Sequence, residues 1–185
     1  MRLETRLASR GVSNVAGLFF DLHNHEIRLC FALPTAAHLD GKGNYTVPGG
    51  RIRRLGAHRF EPVRTAMYRE YGEETGGTED DILILSGVGA PISHCTGRGE
   101  IKLVQGFAGI VAKSCSSPQD ADEIKSVDWL TPDTWQRAIN TMNQGKQQLV
   151  LNIMRGTCQL SRMYPCVKRE ITRFLAEMDS HTFAR

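Results

Sequence analysis

Glu70, Glu73 and Glu74 stand at spacing i, i+3 and i+4, which is one face of a helix. Like charges stacked this way destabilise a bare helix by about 0.2–0.5 kcal/mol per pair. A hard divalent cation reverses that sign, because oxygen ligands converging on it offset their mutual repulsion. The plain alternative is a solvated acidic helix end. The surrounding string Arg69-Glu70-Tyr71-Gly72-Glu73-Glu74-Thr75-Gly76 would arise by chance in on the order of one chain in several thousand at ordinary residue frequencies, which moves the weight to function. Arg69 projects about 100° from Glu70 around the helix. It reads as a structural cation that orients a glutamate through a bidentate pair rather than as a ligand. Glu61 is roughly 13 Å from Glu70 if the helix extends that far back. A supporting electrostatic or capping role follows, not a bond to the same ion.

With Glu61, this segment resembles the Nudix box, G-x5-E-x7-R-E-U-x-E-E-x-G-U with U a bulky apolar residue. Glu61, Arg69, Glu70, Glu73, Glu74 and Gly76 fall in register. Two features depart from the pattern. The leading glycine should stand at Leu55, whereas Val47-Pro48-Gly49-Gly50 looks like the glycine pair at the strand end. A five-residue insertion between Gly50 and Glu61 reconciles the two. At the U positions stand Tyr71, which is aromatic, and Gly77, which has no side chain.

The resemblance implies an α/β/α sandwich with a mixed sheet and a catalytic helix holding Mg2+ or Mn2+. Its metal ligands would be Glu70, Glu73, Glu74 and the backbone carbonyl of Gly49, whose missing side chain lets backbone and phosphate approach closely. The family's general base is often an acidic residue outside the box, or a box glutamate itself. Glu123, in the acidic run Asp120–Glu123, stands where relatives often carry a glutamate; a solvated loop charge is the other reading. With Arg69 these complete the expected catalytic set. The implied activity is metal-dependent hydrolysis of a phosphoanhydride, in a nucleoside diphosphate linked to another moiety. Alternatives are an RNA 5′-end processing enzyme and a catalytically idle domain that senses a nucleotide. The full Glu70/Glu73/Glu74 set argues against the last.

The inserted stretch is basic. Arg51, Arg53, Arg54, His58 and Arg59, with Arg64 on the first helical turn, crowd cations beside the acidic helix. Arginine matches phosphate geometry with a planar fork, so Arg51, Arg53, Arg54 and Arg59 are candidate substrate-binding residues. A solvated basic loop is the alternative.

The chain has 185 residues, 41% hydrophobic and 23% charged, with a formal net charge of +3. That balance suits a globular domain and excludes a dedicated nucleic-acid-coating protein. An anionic small-molecule substrate fits it, with RNA the less favoured partner. No apolar run approaches the roughly 20 residues needed to cross a bilayer. Five scattered cysteines without a C-x-x-C pair read as reduced thiols, and the expected location is the cytoplasm.

The elements that must position this chemistry follow from patterning. Val15 to Phe20 and Ile27 to Leu33 read as a β-hairpin. The run Asp40 to Asn44 reads as a turn, and Tyr45 to Val47 as a short strand stopped by Pro48. The helix of the acidic face starts near Pro62 and ends at Gly76-Gly77, burying Val63, Ala66, Met67 and Tyr71, with its carboxylates facing a cleft. Strands are expected at 82–86, 101–113 and 126–130. Helices follow from about 132, over 147–163 and over 166–178. Val167, Ile171, Phe174, Leu175 and Met178 form an apolar stripe that packs on the protein's own body or on a second copy in a homodimer. The chain then divides into a Nudix-type domain, 1–145, and a C-terminal helical extension, 146–185, packed on it.

Overall fold

A computed structural model describes residues 11–23, 26–35, 44–57, 59–95, 99–119 and 121–182. The two apolar runs near the start form strands β1 (Asn14–His23) and β2 (Glu26–Pro34), an antiparallel pair with Phe20 opposite Leu29 and His23 opposite Glu26. β3 (Ile82–Cys95), β4 (Ile101–Val111) and β5 (Ile124–Leu130) complete a five-stranded sheet of order β3-β4-β1-β2-β5. β1 runs parallel to β4, and every other pairing is antiparallel.

One edge of β1 is shared between two partners. β2 takes residues 20–23, while the segment around the glycine pair takes the beginning of the strand. Gly17 N–H donates to the Pro48 carbonyl at 2.8 Å, Val15 N–H to that of Gly50 at 2.9 Å, and Ile52 N–H to that of Ser13 at 2.9 Å. Tyr45 to Val47, expected as a strand, make only an isolated bridge from Thr46 to Ala32. Pro48 has no N–H with which to continue that ladder. The chain leaves β2 for β1 there, and this fork places Gly49 and Gly50 at the start of β1.

Alternation along β1 sends Phe19 to one face, with Leu18 and Phe20 on the other. On the Phe19 side lies α1 (Val63–Thr75), burying Val63, Ala66, Met67 and Tyr71. On the opposite side lie α2 (Pro132–Thr141), α3 (Gln144–Cys158) and α4 (Pro165–Thr182) over Leu18, Phe20, Trp135, Ile153 and Phe174. This is the expected α/β/α sandwich. The α4 stripe is settled by contact: Val167, Ile171 and Phe174 are buried, and Phe174 meets the Trp135 ring edge-on at 5.6 Å. It packs on the protein's own body.

Several boundaries differ from the patterning. β3 continues to Cys95 rather than ending near Ser86, because β4 supplies a partner through Ile101↔Cys95 after a register shift between Val88 and Ile92. Gly89 and Pro91 in that stretch broke the sequence signal. α3 begins at Gln144, capped by the Asn143 side chain accepting from Lys146 N–H at 2.9 Å. It stops at Cys158, five residues short of the expected Met163. A division at 145/146 therefore falls inside its first turn. The turn read at Asp40 to Gly43 lies outside the described residues, as do His58 and Asp120. No described helix is long and apolar enough to cross a membrane, and Cys30, Cys115, Cys158 and Cys166 are free thiols.

The two odd U positions explain one another. Tyr71 is fully buried and stacks on Phe19 at 4.4 Å. A Cβ on Gly77 would collide with the Tyr71 ring. A larger residue at 71 is thus accommodated by the smallest at 77. Gly77→Val should cost roughly 1–3 kcal/mol through overpacking, read as a lower urea midpoint. Tyr71→Leu together with Gly77→Val should recover most of the loss. A double variant no better than Gly77→Val alone would refute the compensation.

Candidate functional site

α1 starts from Pro62, whose backbone (φ −58°, ψ 138°) admits the first turn, and ends at Gly76 in the left-handed region (φ 78°). A side chain at Gly76 would strike the Ser117 carbonyl. The loop after β4 closes over this end of the helix, with Ser117 N–H donating to the Thr75 carbonyl at 3.0 Å and Gln119 N–H to that of Glu73 at 2.9 Å. The helix is held at both ends before its carboxylates do anything.

The residues between Gly50 and Glu61 form a hairpin. Arg54 bridges Phe60, and Leu55 N–H donates to the Arg59 carbonyl at 2.8 Å. Its return arm brings Glu61 beside Arg53, whose carbonyl accepts from Glu61 N–H at 2.9 Å. Glu61 is therefore not on the helix, and the axial distance from Glu70 expected for it does not apply.

Glu61 instead anchors Arg69. Nε and Nη2 of Arg69 donate to the two Glu61 oxygens at 3.0 Å each. The bidentate pair expected for Arg69 thus goes to Glu61. From its remaining nitrogen Arg69 reaches Glu70 Oε1 and Glu73 Oε2, both at 2.7 Å, and Nη2 also donates to the Arg51 carbonyl at 2.9 Å. Burial alone would raise the Glu61 carboxyl. Hydrogen bonds from Arg69 and from the Arg53 N–H at 3.1 Å outweigh it, so its pKa is lowered from 4.5.

The acidic face is less open than the spacing suggested. Glu70 and Glu74 are each only 8% exposed, because the Gly49-Gly50 segment lies across them. A Cβ on Gly50 would run into the Glu70 carboxylate, and one on Gly49 into the Val15 carbonyl. The missing side chain of Gly49 accommodates β1, and Gly50, not singled out from the sequence, is the glycine that makes room for a site carboxylate. Gly49 N–H donates to Glu74 Oε2 at 3.2 Å. The Pro48 and Gly50 carbonyls turn to β1.

Electrostatics separate the three glutamates. Burial raises the Glu70 carboxyl, with Arg69 opposing. Glu74 is raised well above 4.5, first by burial, then by the Glu70 charge and more weakly by Glu123, against the Gly49 N–H and Lys146. Lys146, in the first turn of α3, was missed because no spacing ties it to the box. Glu123 is exposed, its backbone fixed by Thr35 N–H donating to its carbonyl at 2.8 Å.

The arginines divide. Arg53 Nη2 pairs with Glu73 Oε1 at 2.7 Å. Arg54 spends its guanidinium on the Gly56 and Ala57 carbonyls of its own hairpin. Arg64 folds back along α1 onto the Tyr68 hydroxyl at 2.9 Å. Arg51 and Arg59 are exposed.

Among the described residues no three His, Cys, Asp or Glu side chains already converge as a metal cage. The guanidinium groups of Arg69 and Arg53 stand between the carboxylates instead. The donor set nonetheless fits a divalent cation. Four carboxylates (Glu61, Glu70, Glu73, Glu74) against two guanidinium groups (Arg69, Arg53) leave two negative charges in a half-buried site. Glu74, the most raised, receives the Gly49 N–H and no arginine. All-oxygen ligands of this kind suit Mg2+ or Mn2+.

This architecture recurs in solved structures. The Nudix domain of Shewanella oneidensis NrtR, complexed with ADP ribose, superposes with a TM-score of 0.57 at 13% identity, covering 83% of this chain and 97% of that one. A Caenorhabditis elegans Ap4A hydrolase gives 0.55 at 13% identity, covering 90% and 98%. A Nudix hydrolase from Nitrosomonas europaea gives 0.58 at 16% identity, covering 78% and 90%. The chain has the Nudix fold. The resemblance carried by the box is thus met by the architecture around it. No family model and no curated relative matches the sequence, in keeping with identities this low.

Removing the charge at Glu74 should stabilise the chain when no divalent cation is present. A carboxyl raised in the folded state contributes stability at low pH that is lost as pH rises through its folded pKa. Glu74→Gln keeps an acceptor for Gly49 N–H and escapes that loss. In EDTA its urea midpoint should exceed wild type at pH 8, with the gap closing toward pH 4.5, the ordinary value for the group. Equal midpoints at every pH would show that Glu74 carries no such penalty.

Proposed function

We propose that the chain is a Mg2+- or Mn2+-dependent hydrolase that cleaves a diphosphate linkage in a nucleoside diphosphate bonded to another moiety. The observation that carries the reading is the half-buried set of Glu61, Glu70, Glu73 and Glu74, two charges in excess of Arg53 and Arg69, with Glu74 facing the Gly49 backbone. Phosphoanhydride hydrolysis asks for charge neutralisation on phosphate oxygens and an activated, in-line water, and a bound divalent cation supplies both. Glu70, Glu73, Glu74 and the Gly49 carbonyl would hold it.

Arg69 acts by keeping Glu70 and Glu73 aimed, with Glu61 as its anchor, and touches no substrate. Glu123, within electrostatic reach of Glu74, is the candidate base for the attacking water. Arg51 and Arg53 are the candidate phosphate contacts. Arg59 stays a candidate on exposure alone, whereas the bonds of Arg54 to its own hairpin suit a structural role. The solved structures favour the substrate class: one Nudix domain is complexed with ADP ribose and another neighbour is an Ap4A hydrolase, both ligands being nucleoside phosphates joined to a second group. We further propose that the protein works in the cytoplasm.

The deciding experiment is a phosphate-release screen over nucleotide sugars, ADP ribose, dinucleoside polyphosphates, nucleoside triphosphates and 5′-triphosphorylated RNA, with and without Mg2+. Activity confined to RNA would select the end-processing alternative. Tight nucleotide binding with no turnover under any metal would select the sensor. On the hydrolase reading, EDTA abolishes turnover, and Glu73→Gln or Glu74→Gln lowers kcat by roughly 10²-fold or more, as for loss of a major electrostatic element. Retention of half the wild-type kcat in either variant at saturating Mg2+ would defeat the assignment.

A further inference from the structure

Two guanidinium groups share the Glu73 carboxylate, and they are held very differently. Arg69 takes Oε2 while fastened to both oxygens of Glu61, to Glu70 and to the Arg51 carbonyl, and its side chain is 16% exposed. Arg53 takes Oε1 through one nitrogen at 2.7 Å, and its side chain is 57% exposed. The Arg53 backbone, by contrast, is fixed. Its N–H donates to Glu61 Oε2 at 3.1 Å, and its carbonyl accepts from Glu61 N–H at 2.9 Å. The residue is an exposed charge on a fixed post.

With both Glu73 oxygens taken, a cation gains full access to this carboxylate by displacing one arginine. Displacing Arg69 would unfasten Glu61 and Glu70 as well. Displacing Arg53 breaks one exposed ion pair, the weakest class of such contacts. We propose that Arg53 is an exchangeable counter-charge: it holds Glu73 while the site lacks a divalent cation, yields the carboxylate when one binds, and then grips the phosphates of the substrate. This rests on the metal-dependent reading above and adds to it an order of events. Released, the planar fork matches phosphate oxygens, and its post keeps it beside the acidic helix.

The exchange has a thermodynamic signature. Arg53 competes with the cation for Glu73, yet favours substrate once the cation is in place. Cation and substrate must therefore strengthen each other's binding, reciprocally. Arg53 supplies part of that coupling beyond direct contact between metal and phosphate.

The test measures Mn2+ binding by calorimetry in wild type, Arg53→Ala and Arg53→Lys, alone and with a methylene-bridged ADP analogue. Without analogue, Arg53→Ala should bind Mn2+ about two- to fivefold more tightly, the range that an exposed pair translates to. The gain in analogue affinity on adding Mn2+ should fall by about threefold or more in the same variant. Arg53→Lys keeps a cation for Glu73 but loses the fork, so it should bind Mn2+ like wild type and the analogue more weakly. Unchanged Mn2+ affinity and unchanged coupling in Arg53→Ala, in a protein that does bind Mn2+, would overturn this proposal and leave the hydrolase reading standing. Failure of every form, wild type included, to bind Mn2+ would overturn both.

Discussion

The site depends on a single guanidinium group. Arg69 gathers Glu61, Glu70, Glu73 and the Arg51 carbonyl, and so ties the hairpin to α1. Without it, three carboxylates within about one helical turn and a fourth on the hairpin would repel in a half-buried setting. Its donors match its acceptors almost one for one, which a lysine could not do. The same interaction explains why ten residues can separate Gly50 from Glu61 without spoiling the site. The hairpin folds back on itself through the Arg54–Phe60 bridge, and its return arm delivers Glu61 to the place Arg69 requires.

The layers of the fold were legible because they follow from short-range rules. Alternating apolar runs gave the β1–β2 hairpin, and the Pro62 to Gly76 frame gave α1. The extent of β3 was not legible, because its last residues are a strand only through pairing with β4 across Gly89 and Pro91. A partner distant in sequence leaves no local trace. In the site, the i, i+3, i+4 carboxylates were plain from spacing, and the identity of Arg69 as an orienting cation followed from its angle. Which carboxylate it would clasp did not follow, since Glu61 arrives from a hairpin rather than from the helix. Nor could the sequence separate Arg53 from Arg54. Adjacent residues in an extended arm point to opposite sides, so one reaches Glu73 and the other its own loop. The close approach of Gly50 to Glu70 and the position of Lys146 are equally tertiary facts.

The departures at Tyr71 and Gly77 carry a related lesson. Taken singly, each weakens a motif that asks for bulky apolar residues. Taken together they conserve volume, because the Tyr71 ring fills the space where a Gly77 side chain would stand. Cores constrain summed volume and shape more strongly than identity at one position. A pattern scored position by position counts two failures where packing sees one substitution.

The three glutamates of the face are therefore not equivalent. Glu73 is a third exposed and carries two arginines, so on the proposed reading a cation reaches it in full only by displacing one of them. Glu70 is buried with one arginine beside it. Glu74 is as buried, has the Gly49 N–H instead of an arginine, and feels the Glu70 charge. Its ionised form carries the greatest cost, which either a proton or an incoming cation relieves. On the proposed reading a cation would gain most at Glu74, on the side of the Gly49 N–H, while the exposed Arg53 stands at Glu73. Glu73 and Glu74, neighbours on one helix, thus stand in different surroundings: the first a third exposed and paired with arginine, the second buried and held by a backbone N–H.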